Sequence, residues 1–137
     1  MKKTILLVDD NDKYAKLIQE YFEQRGYRLE RAYSGKDGLN KLQNFDIDYF
    51  DMIITDITME SQLAGLNFLK EARKLGFTGK IIIASTGLNY SIVLYLAPIF
   101  LNSLKVDYLI PKDSILKKDF KFYENKIFPT QKSKIEF

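Results

Sequence analysis

The chain has 137 residues, a length that fits one domain with a single sizeable core. Hydrophobic residues make up 46% and charged residues 28% of it, which excludes the disordered and fibrous classes. The sequence contains no cysteine and no histidine, so disulfides, thiolate metal sites and imidazole general bases are excluded, and any metal has to be held by oxygen, as Mg²⁺ is. The net charge of +3 is too small to indicate a nucleic-acid surface.

No segment has the length of a signal peptide or a membrane span. The N-terminal apolar stretch, residues 4–8, is interrupted by acids, and the apolar stretch at 92–101 contains Pro98 and is shorter than the roughly 18 residues that a span requires. We therefore expect a cytoplasmic protein that does not act at a membrane.

Apolar runs of strand length alternate with longer segments of helical spacing, which is the pattern of a βα repeat with a parallel sheet. The predicted strands lie at 4–8, 27–33, 50–56, 80–85 and 106–110. The predicted helices lie at 11–25, 34–44, 66–75, 89–105 and 113–126. We therefore predict one (βα)₅ domain over residues 1–128 and a C-terminal tail at 129–137.

The predicted fold class is α/β, a flavodoxin-like, doubly wound, five-stranded parallel sheet in the order 2-1-3-4-5. The second strand carries Arg28, Glu30 and Arg31 among its apolar residues, so we expect it at the sheet edge. In this order the first and third strands are neighbours, and ligands of such sheets bind beyond the carboxyl ends of the strands.

Acidic residues stand at the ends of these two strands. Asp9 and Asp10 follow the first strand, and Asp56 ends the third. Three converging carboxylates raise one another's pKa values, so they either share protons or hold a cation. Because Mg²⁺ takes carboxylate and phosphate oxygens, the cluster predicts a divalent cation and a phosphoryl group. Asp12 is interpreted separately, as the cap of the first helix.

Two segments carry a family resemblance: "ILLVDDND" and "FDMIITDITM" resemble the acidic pair and the phosphorylated-aspartate block of bacterial two-component response-regulator receiver domains, of the stand-alone, chemotaxis-receiver type. The resemblance covers residues 3–126. It implies that Asp56 is the phosphoacceptor. It also implies that Asp9 and Asp10 hold Mg²⁺ together with Asp56 and the backbone carbonyl of Thr58.

The resemblance further implies a switch around the phosphoryl group. Ser85, with Thr86 in reserve, would supply a hydroxyl after the fourth strand, and Lys112 would supply a cation after the fifth. Tyr108 would be the aromatic residue that changes position. The family places a proline after its lysine, whereas here Pro111 precedes Lys112, so the lysine stands one residue late unless a bulge compensates.

The implied function is that of a phosphorelay receiver, in which Mg²⁺-dependent phosphorylation of Asp56 switches a protein-interaction surface. Its chemistry would be limited to self-catalysed phosphoryl transfer and autodephosphorylation. The implied partners are a sensor histidine kinase or phosphotransfer protein and a downstream protein target. The segment 89–104 is too apolar for one buried stripe, so we expect it either to pack on the last helix or to form an interface, including that of a homodimer.

Two alternatives remain open at this point. "DND" at 10–12 is similar to the Asp-x-Asp motif of haloacid-dehalogenase-like phosphatases, although Lys13 and Tyr14 replace the small residues that usually follow it. A receiver-like binding module that acts without phosphorylation is the second alternative.

Overall fold

The computed structural model describes residues 2–57, 59, 64–85, 104–125 and 131–135, with the backbone alone at Ser85. The strands in these ranges are Thr4–Val8 (β1), Arg28–Ala32 (β2), Met52–Asp56 (β3), Lys80–Ser85 (β4), Tyr108–Pro111 (β5), Phe122–Glu124 (β6) and Gln131–Lys132 (β7). The α-helices are Asp12–Gln24 (α1), Gly35–Asn44 (α2), Ala64–Lys74 (α3) and Lys112–Leu116 (α4), and Ile47–Tyr49 is a turn of 3₁₀ helix. None of the helices in these ranges is long and apolar enough to cross a membrane.

All seven strands belong to one sheet in the order β2-β1-β3-β4-β5-β6-β7. The first five pair in parallel, which confirms the predicted α/β fold and the order 2-1-3-4-5. The two further strands, β6 and β7, are antiparallel and extend the sheet beyond the predicted five strands.

Alternating side chains on each strand enter two separate cores. On β1, Leu6 and Val8 pack with residues of α2 and α3, whereas Ile5 and Leu7 pack with residues of α1 and α4. Every residue of β1 is buried because helices cover both faces of the central strands. β2 lies at the sheet edge, as its charged residues predict.

The N-terminus of α1 differs from the prediction. Asn11, and not Asp12, is the N-cap: it has an extended backbone, and its side chain accepts hydrogen bonds from the backbone N–H groups of Lys13 at 3.0 Å and Tyr14 at 3.2 Å. Asp12 is already helical, and its carboxylate instead forms an ion pair with Arg31 Nη1 at 2.8 Å. The helix begins one residue earlier than the Asp12 cap would allow.

Replacing Asn11 with alanine is expected to lower the free energy of unfolding by about 1 kcal/mol, because two backbone N–H groups lose their acceptor. Urea unfolding followed by circular dichroism measures this change. The matched control is Asn40→Ala, on an exposed face inside α2, where alanine favours the helix. Equal midpoints for the two variants would contradict the capping role.

The predicted final helix at 113–126 is wrong beyond Leu116. The α4 helix ends there, Lys118 adopts a positive φ of 56°, and the chain returns as β6 antiparallel to β5. The reason is burial: Phe120 and Phe122, two residues apart, both enter the core beside α1, and Phe120 stacks on Tyr21 with centroids 4.0 Å apart. This spacing fits a strand better than a helix.

The segment predicted as a tail contributes to the sheet. Gln131 and Lys132 form β7 against β6, and Ile135 packs against the core beside α1. The third strand begins at Met52 and not at Phe50, and the fifth begins at Tyr108 and not at Val106. The predicted fourth helix and the predicted interface at 89–104 lie outside the described residues, apart from Leu104 and Lys105.

Candidate functional site

Three predicted acids meet at the carboxyl edge of the sheet. β1 and β3 are neighbouring strands in which Val8 lies opposite Thr55. Asp9 follows Val8 and Asp56 follows Thr55, so the two acids stand side by side. Carboxylate oxygens of Asp9, Asp10 and Asp56 all lie within 4.8 Å of one another. Asp9 is 1% and Asp56 6% exposed, whereas Asp10 is exposed, so the cluster is buried at its base and opens to solvent at Asp10.

Lys112 reaches this cluster although it stands after Pro111 in the sequence and not before a proline, as in the family. Its Nζ donates a hydrogen bond to Asp56 Oδ2 at 2.8 Å and lies 3.1 Å from Asp9 Oδ2, and the side chain is 2% exposed. β4 and β5 pair in regular register up to Ser85 opposite Pro111, so no bulge is needed. The four-carbon stem of lysine spans the extra residue.

The Asp9 carboxyl is held in an unfavourable environment. Burial raises its pKa above the ordinary value, while a 2.9 Å hydrogen bond from the Asn11 backbone N–H and the charge of Lys112 oppose this shift. Asp9 Oδ2 is buried, and its partner among the described residues is the Lys112 ammonium, 3.1 Å away. A buried carboxylate oxygen of this kind fits a site for a hard cation such as Mg²⁺.

The backbone beneath Asp56 is packed closely by the start of α3. The Gly65 N–H donates to the carbonyl of Ile57 at 2.8 Å, and a Cβ atom on Gly65 would lie 1.8 Å from the carbonyl oxygen of Asp56. Only glycine fits here without a backbone shift. The sequence pattern showed Gly65 only as a residue near a helix start, so its contact with Asp56 was missed.

Arg31 fixes the loop that carries the acidic pair. Its Nε and Nη2 both donate to the backbone carbonyl of Asp9, at 3.2 and 3.0 Å, and its Nη1 pairs with Asp12. The Asp9 N–H donates in turn to the carbonyl of Ala32 at 3.1 Å. From the sequence, Arg31 was interpreted only as an edge charge, since nothing local indicates that its guanidinium turns toward β1.

Tyr14 is a third residue whose contact with the site sequence reasoning missed. The pattern placed it on the apolar face of the first helix, and it does pack partly buried against the core beside α1. The Lys112 Nζ also lies 4.3 Å from the centroid of its ring. The only available signal was an aromatic residue in the first helical turn after the acidic pair.

The other predicted site residues are distributed as follows. Ser85 ends β4 at the carboxyl edge, but its side chain lies outside the described part, as do Thr86 and the carbonyl of Thr58. Tyr108 stands opposite Ile82, inside the sheet, where its half-buried ring packs edge-on to Phe122 with centroids 6.3 Å apart. The structure thus brings Lys112 to the acids and places Tyr108 against the core.

The geometry agrees with comparisons to known proteins. The family model described as the response regulator receiver domain matches residues 5–95, about two thirds of the chain. The chain belongs to this family. The predicted resemblance is thereby confirmed, and the matched part of this receiver domain contains all three acids, whereas Lys112 and strands β5 to β7 lie beyond it.

Curated relatives include the response regulator ArlR of Staphylococcus aureus, which is 30% identical over 86 residues. That match spans 63% of this chain and 37% of ArlR, so the chain matches little more than a third of the length of this relative.

Solved structures show the same fold. The chemotaxis response regulator CheY4 of Vibrio cholerae is 22% identical, with 85% of this chain and 95% of that one covered and a TM-score of 0.67. A structure described as a CheX-CheY-BeF3-Mg complex from Borrelia burgdorferi is 19% identical, with 85% of both chains covered and a TM-score of 0.67. The chain therefore has a CheY-like receiver fold.

Proposed function

We propose that this receiver domain is phosphorylated on Asp56 in a Mg²⁺-dependent reaction and that the phosphoryl group switches a protein-interaction surface. The main support is the buried Asp56 carboxylate, which has the Lys112 ammonium at 2.8 Å and oxygens of Asp9 and Asp10 within 4.8 Å. Two acids, a reactive carboxylate and a buried cation are the groups that phosphoryl transfer to a carboxylate requires.

In the proposed reaction, Asp56 is the nucleophile and Lys112 stabilises the negative charge of the phosphoryl group. An Asp56 oxygen attacks the phosphorus of a phosphohistidine or small phosphodonor. A P–O bond forms, and the donor leaves with the electron pair of its broken bond. Lys112, which already contacts Asp56, neutralises charge on the phosphoryl oxygens. The stem of Lys112 is buried, so its ammonium needs little reorganisation when the phosphoryl group arrives.

The proposed metal is Mg²⁺, held by Asp9, Asp10 and Asp56 and, by family resemblance, by the carbonyl of Thr58. It would neutralise oxygen charge during transfer. The buried Asp9 carboxylate, with an oxygen within 4.8 Å of oxygens of both other acids, supports this proposal, as do the BeF3 and Mg named for the Borrelia complex.

The proposed signalling role follows from the family. A sensor histidine kinase or phosphotransfer protein would supply the phosphoryl group in the cytoplasm, and a downstream protein would recognise the switched surface. Ser85 would bind the phosphoryl group, and Tyr108 would respond from the neighbouring strand. A homodimer through the segment 89–104 stays a prediction.

Intact-mass measurement after incubation with Mg²⁺ and acetyl phosphate tests the proposal. We expect one added phosphoryl group on the wild type, none on Asp56→Asn, and one on the control Asp48→Asn, which removes an exposed carboxylate from the 3₁₀ turn. Chelation of the metal should abolish the gain.

Two other results would point elsewhere. Turnover of a phosphate ester that does not depend on Asp56 would support the phosphatase alternative. A folded wild type that gains no phosphoryl group with acetyl phosphate or with phosphorylated histidine kinase would support a binding module that acts without phosphorylation.

A further inference from the structure

The Lys112 ammonium contacts an aromatic ring as well as two carboxylates. Asp56 and Asp9 contact it at 2.8 and 3.1 Å, and the ring of Tyr14 lies over it with the centroid 4.3 Å from Nζ. Tyr14 belongs to α1, whereas Lys112 begins α4, so two elements that are distant in the sequence meet at this cation.

The contact has the geometry of a cation–π interaction. An ammonium within about 6 Å of a ring centroid is attracted by the negative face of the ring, and the attraction is stronger when water is excluded. Lys112 is 2% exposed, so this contact is desolvated. Phenylalanine would keep the attraction, whereas leucine, which is apolar but smaller and has no ring, would lose it.

Tyr14 is also fixed in place by its own surroundings. Its backbone N–H donates to the Asn11 cap at 3.2 Å, and its side chain packs against the core beside α1. A lysine side chain has several rotatable bonds, and a ring in a fixed position restricts where its ammonium can lie. The acidic loop and the cation are thus joined through the first turn of α1.

We propose that Tyr14 is a positioning residue that holds the Lys112 ammonium against Asp56. The consequence for phosphorylation rests on the proposed function, but the contact itself does not. Because the ring acts through Lys112, it affects the maximal rate of phosphoryl transfer more than the concentration of phosphodonor needed for half of that rate.

The test compares Tyr14→Leu with Tyr14→Phe. With acetyl phosphate and saturating Mg²⁺, we expect Tyr14→Leu to lower the maximal rate of phosphoryl gain by about five-fold, with less than a two-fold change in the half-saturating concentration. Tyr14→Phe should retain the wild-type rate. If Tyr14 served only to fill the core, Tyr14→Leu would unfold at a lower temperature, but the folded protein would keep the wild-type rate.

A second readout is independent of phosphorylation. In the wild type and in Tyr14→Phe, the ring current should displace the NMR signals of the Lys112 side chain upfield, and in Tyr14→Leu this displacement should be lost. The signals are assigned by their absence in Lys112→Met. If the wild type is not phosphorylated, the proposed function fails while these shifts still decide the position of Lys112. Lys112 signals that are the same in all three proteins, or equal rates for leucine and phenylalanine, would overturn the inference.

Discussion

Replacing Lys112 with methionine is expected to destabilise the metal-free protein by about 3–5 kcal/mol at pH 7, the usual cost of breaking a buried ion pair. The variant leaves Asp9 and Asp56 buried together without the ammonium that lies 3.1 and 2.8 Å from them. Methionine keeps the apolar volume of the stem, so the change reports mainly on charge.

The sign of the pH dependence follows from Asp9. Its pKa is already raised in the folded protein by burial, and the charge of Lys112 opposes this shift. Loss of Lys112 raises the pKa further. A group whose pKa is raised by folding contributes stability at low pH that is lost as pH rises through the folded value. The loss of unfolding free energy in Lys112→Met, relative to the wild type, should therefore be smaller near pH 5 than at pH 7.

Urea unfolding at both pH values, with and without MgCl₂, checks this prediction. The control is Lys117→Met, which removes an exposed lysine five residues later in the chain. Added Mg²⁺ should stabilise Lys112→Met more than the wild type, because the cation replaces the missing charge. If Lys112→Met is as stable as Lys117→Met at pH 7 without metal, the Lys112 ammonium does not offset the negative charge of the buried acids.

Replacing Gly65 with alanine is expected to cost about 1–3 kcal/mol or more of stability and to slow phosphorylation of Asp56. The new Cβ would stand 1.8 Å from the Asp56 carbonyl oxygen and 2.7 Å from the Ile57 Cα. These are backbone atoms, so either α3 or the end of β3 has to move. The helix propensity gained by alanine, about 1 kcal/mol, is too small to offset this shift.

Gly38→Ala provides the matched comparison for this prediction. A Cβ there would meet the Phe68 ring at 2.8 Å and a Val8 methyl group at 3.1 Å, which are side-chain atoms that can move. Thermal unfolding and the rate of phosphoryl gain measure both variants. If Gly65→Ala unfolds at the same temperature as Gly38→Ala and is phosphorylated at the wild-type rate, the close contact under Asp56 does not constrain the site.

Much of the parallel sheet could be predicted because each strand carries its own signal. The apolar runs that became β1, β3 and β4 are buried on both faces, and the charged run that became β2 lies at the edge. The positions of Asp9 and Asp56 at strand ends sufficed to predict their meeting, because parallel strands that are neighbours end at one edge.

Local patterns were insufficient at the C-terminus. Residues 113–126 contain apolar spacings that fit a helix, but Phe120 and Phe122 are buried against α1 as parts of a returning chain. The edge of β5 was available for antiparallel pairing, and its hydrogen-bonding groups are satisfied in part by β6. Burial of aromatic area against a distant helix decided between the two structures.

The sequence by itself determined the family, the parallel sheet and the acids, because these depend on residues near one another in the chain and on the ends of strands. Only the tertiary structure decided how the site is completed. Arg31 and Lys112 reach Asp9 from 22 and 103 positions away in the sequence, and Tyr14 contacts Lys112 from 98 positions away, through long side chains whose direction no local spacing predicts. The physical reason is that a buried charge is satisfied by whichever groups folding brings within a few ångströms, and that proximity is a property of packing.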